Sequence, residues 1–407
     1  MSRDDILSEL VSGRLRFHEL DKLVGVSEAV RLRREALGAL TGVGFEHISN
    51  SSIDAGGLVG RNIENMIGAV QVPLGVAGPL PVEGEFASGD FYLPLATTEG
   101  ALVASVNRGC AAIREAGHVK VHIFQDMMTR APVFRCESLE AALGLIRWVG
   151  ENFERMKAAS GRTTRHGELL RVEPFVVGRT VWLRLGFDTK DAMGMNMVTI
   201  ASDAICDLVL SENSGVELVS LSGNMCVDKK PAAINTLLGR GKTVVAETVI
   251  PERVVSSKLK ADPMRMVEVN YRKNLLGSAR AGALGFNAHA ANIIAAIFIA
   301  CGQDVAHVVE GSTAITTVEK TGEGLYLAVT LPALEVGTVG GGTRVETQRE
   351  CLEMLGLAGS GEPPGSNAKM LAEIIASAVL AGETSLIAAQ AAHHLAEAHK
   401  RLGRRER

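Results

Sequence analysis

The spacing of apolar residues predicts helices near the N-terminus and again in the second half of the chain. HELDKLVGVSEAVRLRREALGAL, residues 18–40, repeats apolar side chains every three or four positions, which predicts a small N-terminal helical region over residues 1–64. TTEGALVASVNRGCAAIREAG, residues 97–117, predicts another helix, whereas the Gly- and Pro-rich PLGVAGPLPV, residues 73–82, predicts turns. AANIIAAIFIACG, residues 290–302, is shorter than the roughly 20 residues that cross a bilayer, so it predicts a buried core helix.

Residues 132–222 alternate between strand-like and helix-like spacing. PVFRCES predicts a strand, LEAALGLIRWVGENFERMKAA a helix, LLRVEPFVV and TVWLRLGF two strands, MVTIASDAICDLVL a helix, and VELVSLS a last strand. This βαββαβ order is typical of a ferredoxin-like arrangement. We therefore predict an α+β multidomain fold, in which a small domain over residues 132–222 is inserted into a large helical domain made of residues 65–131 and 223–407.

Composition and charge exclude several classes of protein. The chain has 407 residues, of which 46% are hydrophobic and 22% charged, as is typical of globular proteins. A net charge of -4 provides no attraction to nucleic acid or to an anionic membrane. The N-terminus has no signal-peptide pattern. The six cysteines include no C-x-x-C pair, which predicts no metal site and no disulfide framework and favours the cytoplasm.

Three consecutive charged residues stand in an otherwise small or apolar stretch, SGNMCVDKKPAAIN, residues 222–235. They are Asp228, Lys229 and Lys230. A desolvated ammonium without a partner changes its pKa or costs several kcal/mol, so negatively charged groups are expected beside them. The stretch follows the predicted inserted domain, and such junctions often hold ligands.

Glycine-rich stretches raise the question of phosphate binding. GRGKT, residues 239–243, is not a P-loop, because Thr236 stands where that pattern requires glycine. GTVGGGT, residues 337–343, does not complete the dinucleotide fingerprint G-x-G-x-x-G. DAMGMNM, residues 191–197, opens a predicted helix whose free N–H groups could hold a diphosphate, although its methionines could equally fill a core.

Several other polar residues each have two interpretations. Glu99 lies among small residues, where a carboxyl group tends to stay protonated and acts as an acid, or it is a helix-start residue favoured by the helix dipole. Asp304 is a functional carboxylate or a polar residue ending a helix. Arg165 binds a phosphate or is solvated. His393 and His394 are catalytic or lie on the surface.

A set of longer motifs resembles one protein family. The motifs are ENMIGAVQVPLGVAGPL, PLATTEGALVASVNRGCAAI, DMMTRAPV, DAMGMNM, SGNMCVDKKPAAIN, RKNLLGSA, FNAHAANI, ACGQD, GTVGGGT and AAHHL. From about residue 64 to 395, and in this order, they are similar to the catalytic portion of the 3-hydroxy-3-methylglutaryl-CoA (HMG-CoA) reductases. Met195 resembles class I, the archaeal and eukaryotic type. The resemblance implies reduction of (S)-HMG-CoA to (R)-mevalonate and CoA with two NADPH, rather than NADH, in the mevalonate pathway of isoprenoid biosynthesis.

The resemblance also implies a role for individual side chains. Lys229 matches the catalytic lysine, whose ammonium would stabilise the negative charge that develops on the thioester oxygen. Glu99 matches the catalytic glutamate, and Asp304 would couple it to Lys229. His394 matches the histidine that protonates the departing CoA thiolate, whereas His393 receives no role.

The resemblance assigns two further sets of residues to ligands. The substrate-binding set is Ser105, Asn107, Arg108, Arg130, Ser222, Asn224, Asp228, Lys230, Lys273 and Asn287. The cofactor-binding set is Arg165, Asp191, Met193, Gly194, Met195, Asn196, Gly340, Gly341 and Gly342. The small inserted domain would bind NADP(H) and the large domain the acyl-CoA.

The resemblance implies a homodimer or homotetramer with active sites between subunits, and it implies no metal, nucleic-acid or membrane partner. Two other hypotheses make different demands on the sequence. A catalytically inactive CoA-binding or regulatory homologue would be expected to lack one of the ionisable groups at 99, 229, 304 and 394, and none is missing. An ordinary hydroxy-acid dehydrogenase would need the dinucleotide fingerprint that is absent here.

Overall fold

The strands of the chain form one continuous sheet. The computed structural model describes residues 1–164 and 166–392, and within them the sheet has ten strands. The strands are β1 Leu74–Gly84, β2 Ser88–Ala96, β3 Val119–Arg130, β4 Val133–Cys136, β5 Glu168–Val177, β6 Thr180–Asp188, β7 Val216–Ser220, β8 Gly241–Ile250, β9 Ile315–Lys320 and β10 Leu325–Leu334. The order is β7-β4-β6-β3-β8-β10-β9, while β1 pairs with β2 and β3, and β5 with β6. Only the β1–β3 pairing is parallel among these described strands.

Helices pack against this sheet. The α-helices are α1 Arg3–Val11, α2 Leu20–Leu23, α3 Val26–Thr41, α4 Glu46–Ser49, α5 Ala55–Leu58, α6 Leu102–Ala116, α7 Leu139–Glu151, α8 Phe153–Gly161, α9 Met195–Glu212, α10 Ala233–Leu238, α11 Glu252–Val254, α12 Pro263–Val269, α13 Ser278–Ala281, α14 Ala290–Ala300, α15 Val308–Gly311, α16 Glu346–Met354 and α17 Ser366–Ala391. Two π-helical segments, Val255–Leu259 and Asn270–Gly277, continue α11 and α12.

Strand β3 joins two separate hydrophobic cores. Its first part, Lys120 to Met127, pairs with β8, and its last three residues, Met128 to Arg130, pair with β6. The larger core contains side chains of β1, β2, β8, β9 and β10 together with α6, α14 and α17. The smaller core contains side chains of β4 to β6 and α7 to α9. A third, minor cluster joins α1, α2 and α3.

The long helix α17 is the centre of the larger core. Twenty of its 26 residues are buried. Its length and apolarity would allow it to cross a bilayer, but 89% of its most apolar window is covered by the rest of the protein. It lies very close to α6, since a Cβ atom added at Gly109 would lie 1.9 Å from the carbonyl oxygen of Ala381. Glycine at this position therefore allows the two backbones to touch.

The element order over residues 132–222 follows the predicted pattern. β4, α7, β5, β6, α9 and β7 occur in the predicted order, and α8 is a short continuation of the first helix after Asn152. The α+β class is confirmed by this mixture of helices and antiparallel strands. The division into a nicotinamide-binding and a substrate-binding domain, with the stated boundaries, stays a prediction.

One expectation about the predicted large domain is wrong. In its described residues helices outnumber strands in length, as expected, although β1, β2, β8, β9 and β10 also contribute to its core. PLGVAGPLPV does not form turns: nine of its ten residues lie in β1. Proline and glycine usually interrupt strands, but here the pairing with β2 shifts register between Ala77 and Leu80, and such irregular positions tolerate them.

Candidate active site

The residue predicted to be the catalytic lysine lies in a loop with unusual backbone angles. Between β7 and α10, three residues other than glycine have left-handed φ values: Asn224 (64°), Val227 (45°) and Lys229 (59°). This region is uncommon for such residues and is a real outlier for a β-branched valine. The backbone N–H of Lys229 donates to Oε1 of Glu310 at 2.5 Å, and Asn235 Nδ2 donates to the carbonyl oxygen of Val227 at 3.1 Å. Contacts from other elements therefore hold the loop in this conformation.

The ammonium of Lys229 has one close carboxylate partner. Its Nζ lies 2.8 Å from Oδ2 of Asp304, whose other oxygen accepts the backbone N–H of Ala306 at 3.1 Å. The hydrogen bond that Lys229 donates to the Asp304 carboxylate raises the pKa of the Lys229 amine. Burial acts to raise the pKa of Asp304, but the hydrogen bond from Lys229 and nearby positive charge lower it overall. The pair is therefore ionised at neutral pH, with a protonated amine.

Lys229 and Asp304 face a large cavity of about 910 Å³. The cavity lies between the Lys229 loop, the start of α9 and the glycine-rich segment that follows β10. Predicted site residues that line it are Arg130, Met193, Gly194, Met195, Asn196, Asp228, Lys229, Asp304, Gly340, Gly341 and Gly342. The buried Nε donor of Arg130, at the end of β3, has no hydrogen-bond partner within residues 1–164 and 166–392. An anionic group entering the cavity would satisfy it.

The start of α9 and the glycine-rich segment are tied together beside this cavity. Ala192 and Val339 form a parallel bridge, and Thr338 N–H donates to the carbonyl oxygen of Asp191 at 2.8 Å. Helix α9 has 18 residues and no acidic residue in its first turn, so its N–H groups and positive dipole end are not neutralised locally. Cβ atoms added at Gly340 and Gly341 would meet nothing within 4 Å, which leaves room for a ligand beside this backbone.

Asp191 is predicted to contact the cofactor, but the structure places its side chain elsewhere. Its side chain is buried and does not line the cavity. Its two oxygens accept the backbone N–H groups of Gly361 (3.0 Å), Gly365 (2.7 Å) and Ala368 (3.0 Å). The carboxylate therefore fixes the start of α9 to the start of α17, because three amide donors already use its lone pairs.

Asn287 is predicted to contact the substrate, but its side chain is also occupied by backbone groups. Its Nδ2 donates to the carbonyl oxygens of Ser312 and Ala314, both at 3.0 Å, and its Oδ1 accepts the N–H of Ala290 at 3.0 Å. These bonds shape the turn that leads into α14 and leave little capacity for a substrate. Another asparagine of the same motif, Asn292, instead directs its amide to Glu99.

Glu99 lies apart from Lys229 in the single chain. It is exposed, does not line the cavity, and accepts a hydrogen bond at 3.2 Å from Nδ2 of Asn292. His289 lies next to this contact, with Nδ1 at 3.4 Å from Asn292 Nδ2, and its backbone N–H donates to buried Glu383 at 2.7 Å. Within the described residues, Glu99 therefore contacts Asn292 and does not line the cavity that Lys229 and Asp304 face.

Three of the predicted substrate-binding residues, Ser105, Asn107 and Arg108, lie on α6. Arg108 donates to Oγ and to the carbonyl oxygen of Ser385 at 3.0 and 2.5 Å, and burial lowers its pKa. The Ser105 hydroxyl lies 2.9 Å from the same Oγ, and Asn107 accepts the N–H of Gly78 at 3.0 Å. Within the described chain these side chains join structural elements to each other.

The remaining predicted residues are more exposed. Lys230 Nζ lies 3.4 Å from Asn224 Oδ1 and 3.2 Å from the Asp228 carbonyl oxygen, and Ser222 N–H donates to Ser220 Oγ at 3.2 Å. Lys273 donates to Asn274 at 2.8 Å, and burial lowers its pKa. Arg165, His393 and His394 lie outside the described residues.

Sequence reasoning missed a buried charge cluster beneath the Lys229 loop. Arg240 is completely buried and contacts three carboxylates: Asp228 at 2.9 Å, Glu310 at 3.1 Å and Glu335 at 3.1 Å. His307 is also completely buried, 3.4 Å from Glu310 through Nδ1. Burial raises the pKa of Glu335 to about 7, although Arg240 and His307 oppose this shift. Burial acts to lower the pKa of Arg240, but the surrounding carboxylates raise it overall.

The whole chain is similar in sequence to proteins of one family. The profile of the hydroxymethylglutaryl-coenzyme A reductase family matches residues 29–404. A 3-hydroxy-3-methylglutaryl-coenzyme A reductase of Pyrococcus abyssi is 56% identical over 99% of this chain and 100% of its own length, and one of Zea mays is 45% identical over 98% of this chain and 70% of its own. The archaeal and plant relatives fit the predicted class I type.

Solved structures of the same name have a similar fold. A 3-hydroxy-3-methylglutaryl-coenzyme A reductase of Streptococcus pneumoniae aligns with a TM-score of 0.64 and 16% identity, covering 96% of this chain and 99% of the other. A class II enzyme from that organism, solved with NADPH bound, aligns with a TM-score of 0.63 and 19% identity over 81% of this chain and 78% of its own. With the family profile and the close relatives covering nearly the whole sequence, the chain belongs to the hydroxymethylglutaryl-coenzyme A reductase family.

Proposed function

We propose that the chain catalyses the four-electron reduction of (S)-HMG-CoA to (R)-mevalonate and CoA with two NADPH, the step that feeds the mevalonate pathway. The observation that carries this proposal is the Lys229–Asp304 pair, 2.8 Å apart, at the wall of a cavity of about 910 Å³. Reduction of a thioester carbonyl puts negative charge on its oxygen, and a positioned ammonium stabilises that charge. The raised pKa of Lys229 keeps the amine protonated for this task.

The residues around the cavity fit a nicotinamide dinucleotide phosphate. The first N–H groups of α9 and the open backbone at Gly340 and Gly341 would hold a diphosphate. When bound, the reduced nicotinamide supplies hydride. We propose Met193 to Asn196 and the glycine run as its contacts, with Arg165 for the additional phosphate that distinguishes NADPH from NADH. The unpaired Nε of Arg130 suits the carboxylate of the substrate, together with Ser222, Asn224 and Lys230.

Glu99 is proposed to act on the site of a neighbouring subunit. In the single chain it is exposed and faces Asn292 rather than the Lys229 cavity. A proton donor for the reduced oxygen must come within hydrogen-bond reach of it. Close contact with a second copy of the chain would complete the site, so a homodimer or homotetramer in the cytoplasm is the proposed form. His394, from the C-terminal segment, would protonate the CoA thiolate.

The first experiment measures the stoichiometry of the reaction. Purified protein mixed with HMG-CoA and NADPH is expected to oxidise two NADPH for each CoA released, as followed by absorbance and a thiol reagent. NADH in place of NADPH is the control for cofactor choice. The absence of nicotinamide oxidation with either cofactor would contradict the proposed function and favour the catalytically inactive homologue. The presence of all four ionisable groups in the sequence disfavours that alternative.

A second experiment tests the site between subunits. Lys229→Ala and Glu99→Gln chains are each expected to be inactive, but co-expression should restore roughly a quarter of wild-type activity, because half of the random dimers are hybrids with one intact site. Lys229→Ala with Asp304→Ala is the matched control. Both of those residues belong to one chain's pair, so their hybrids contain no intact site and should stay inactive. Inactive Lys229/Glu99 hybrids, verified by differential tags, would place Glu99 in its own chain's site or outside catalysis.

A further inference from the structure

The carboxylate of Glu310 contacts the backbone of Lys229 from below the loop. Glu310 lies in α15 and is 1% exposed. Its Oε1 accepts the N–H of Lys229 at 2.5 Å and the Nη1 donor of Arg240 at 3.1 Å. One buried oxygen therefore joins the Lys229 backbone to a buried cation.

The conformation of Lys229 makes this contact more than a routine hydrogen bond. The residue has φ of 59°, and Val227 two positions earlier has φ of 45°. Side chains with a Cβ atom rarely adopt this region, and such a conformation persists only where surrounding contacts maintain it. The direction in which the Lys229 side chain leaves the backbone depends on these angles. A group that holds the N–H thereby controls where the ammonium points.

The same cluster also reaches the other end of the Lys229 side chain. His307 lies between Glu310 and Asp304. Its Nδ1 is 3.4 Å from Glu310 Oε1, and its Nε2 is 3.7 Å from Oδ2 of Asp304, the oxygen that binds the ammonium. Arg240 contacts Glu310 directly and is itself held by Glu335 and Asp228. The backbone N–H of Lys229 and its side-chain partner Asp304 therefore both contact one buried network, which includes Glu310, His307 and Arg240.

We infer that Glu310, held by Arg240, is a positioning residue for Lys229: it fixes the left-handed backbone so that the ammonium meets Asp304 and faces the cavity. Glu310 does not line the cavity itself and has no direct part in the chemistry. The inference rests on the proposed function for its kinetic consequence, but not for its structural one.

The test compares Glu310→Ala, Glu310→Gln and Glu373→Ala with the wild-type enzyme. Glu373 is the matched control, because it is also a buried carboxylate and accepts the N–H groups of Phe86 (3.0 Å) and Ala87 (2.6 Å), outside the Lys229 site. Glu310→Ala should lower kcat about 10- to 100-fold with KM for both substrates within about threefold, since a displacement near 1 Å can cost about 100-fold. Glu310→Gln retains an acceptor oxygen and should recover most of that loss. Glu373→Ala should leave kcat per folded enzyme near the wild-type value.

Hydrogen exchange of the ligand-free protein provides a readout that does not depend on activity. The peptide containing residues 224–231 should lose protection in Glu310→Ala and keep it in Glu310→Gln and Glu373→Ala. Unchanged protection of this peptide in Glu310→Ala, or equal loss throughout the chain, would overturn the inference. A wild-type chain without reductase activity would contradict the proposed function, whereas the exchange result would still decide the role of Glu310.

Discussion

Replacing Lys229 by alanine is expected to lower kcat by at least about 100- to 1,000-fold, the loss typical of removing one donor to a developing oxyanion. Substrate affinity should stay within about tenfold, because the ammonium interacts most strongly with charge that exists only in the transition state. Its 2.8 Å contact with Asp304 holds it in place before the charge develops. Steady-state kinetics with HMG-CoA, together with a direct measurement of binding, would separate the two effects.

The control for this substitution is Lys258→Ala. Lys258 also pairs with a carboxylate, Glu115, at 3.1 Å, but the pair lies on the surface and outside the cavity. Surface pairs of this kind contribute little, so its removal should leave kcat unchanged. If Lys229→Ala retained more than about a tenth of the wild-type rate, another group would have to stabilise the oxyanion.

Replacing Arg240 by methionine is expected to have the largest effect on stability. The substitution leaves Asp228, Glu310 and Glu335 without their shared cation, and breaking a buried ionic network from one side costs about 3–5 kcal/mol. Urea unfolding should show a correspondingly lower midpoint. Arg33→Met is the matched control: Arg33 is equally buried, but its carboxylate partner, Asp21, is partly exposed and can be hydrated, so its penalty should be smaller.

The penalty at Arg240 should also depend on pH. The folded-state pKa of Glu335 is about 7, above its ordinary value of 4.5, so its protonated form is favoured by folding. The stability that this group contributes is present below about pH 4.5 and is lost as pH rises through 7. Without Arg240 its pKa rises further, so the Arg240→Met penalty should be greater at pH 8 than at pH 5. An equal loss of stability in Arg240→Met at both pH values, or a loss below about 1 kcal/mol, would show that the charge of Arg240 does not stabilise the network.

The motifs predicted the identity of the pair that matters most, but not its surroundings. Lys229 and Asp304 were assigned by resemblance, and the structure brings them into contact. Asp191 and Asn287 were assigned to ligands in the same way, yet backbone groups occupy their oxygens and amides. A motif preserves both ligand-binding and supporting residues, so the residue type alone does not distinguish them.

The buried cluster was visible in the sequence only as isolated charges. Arg240 lies in GRGKT and Glu335 in the apolar run PALEVGT, the same signal that drew attention to Lys229. The likeness of GRGKT to a phosphate loop gives no indication of a buried cation. A charged residue inside an apolar stretch needs a buried partner, and this rule indicates that Arg240 and Glu335 each require a counterion without saying which one.

The amino-acid sequence by itself determined the family, the α+β class and the order of elements over residues 132–222, because local periodicity and long motifs are properties of neighbouring residues. Only the tertiary structure decided which charges meet. Lys229 and Glu310 are 81 residues apart, and Arg240 and Glu335 are 95 apart, so no local pattern relates them. Their contacts depend on how the strands around β8 and β10 pair and how α15 packs beneath the loop, since a buried ion is stable only where such packing supplies its counterion.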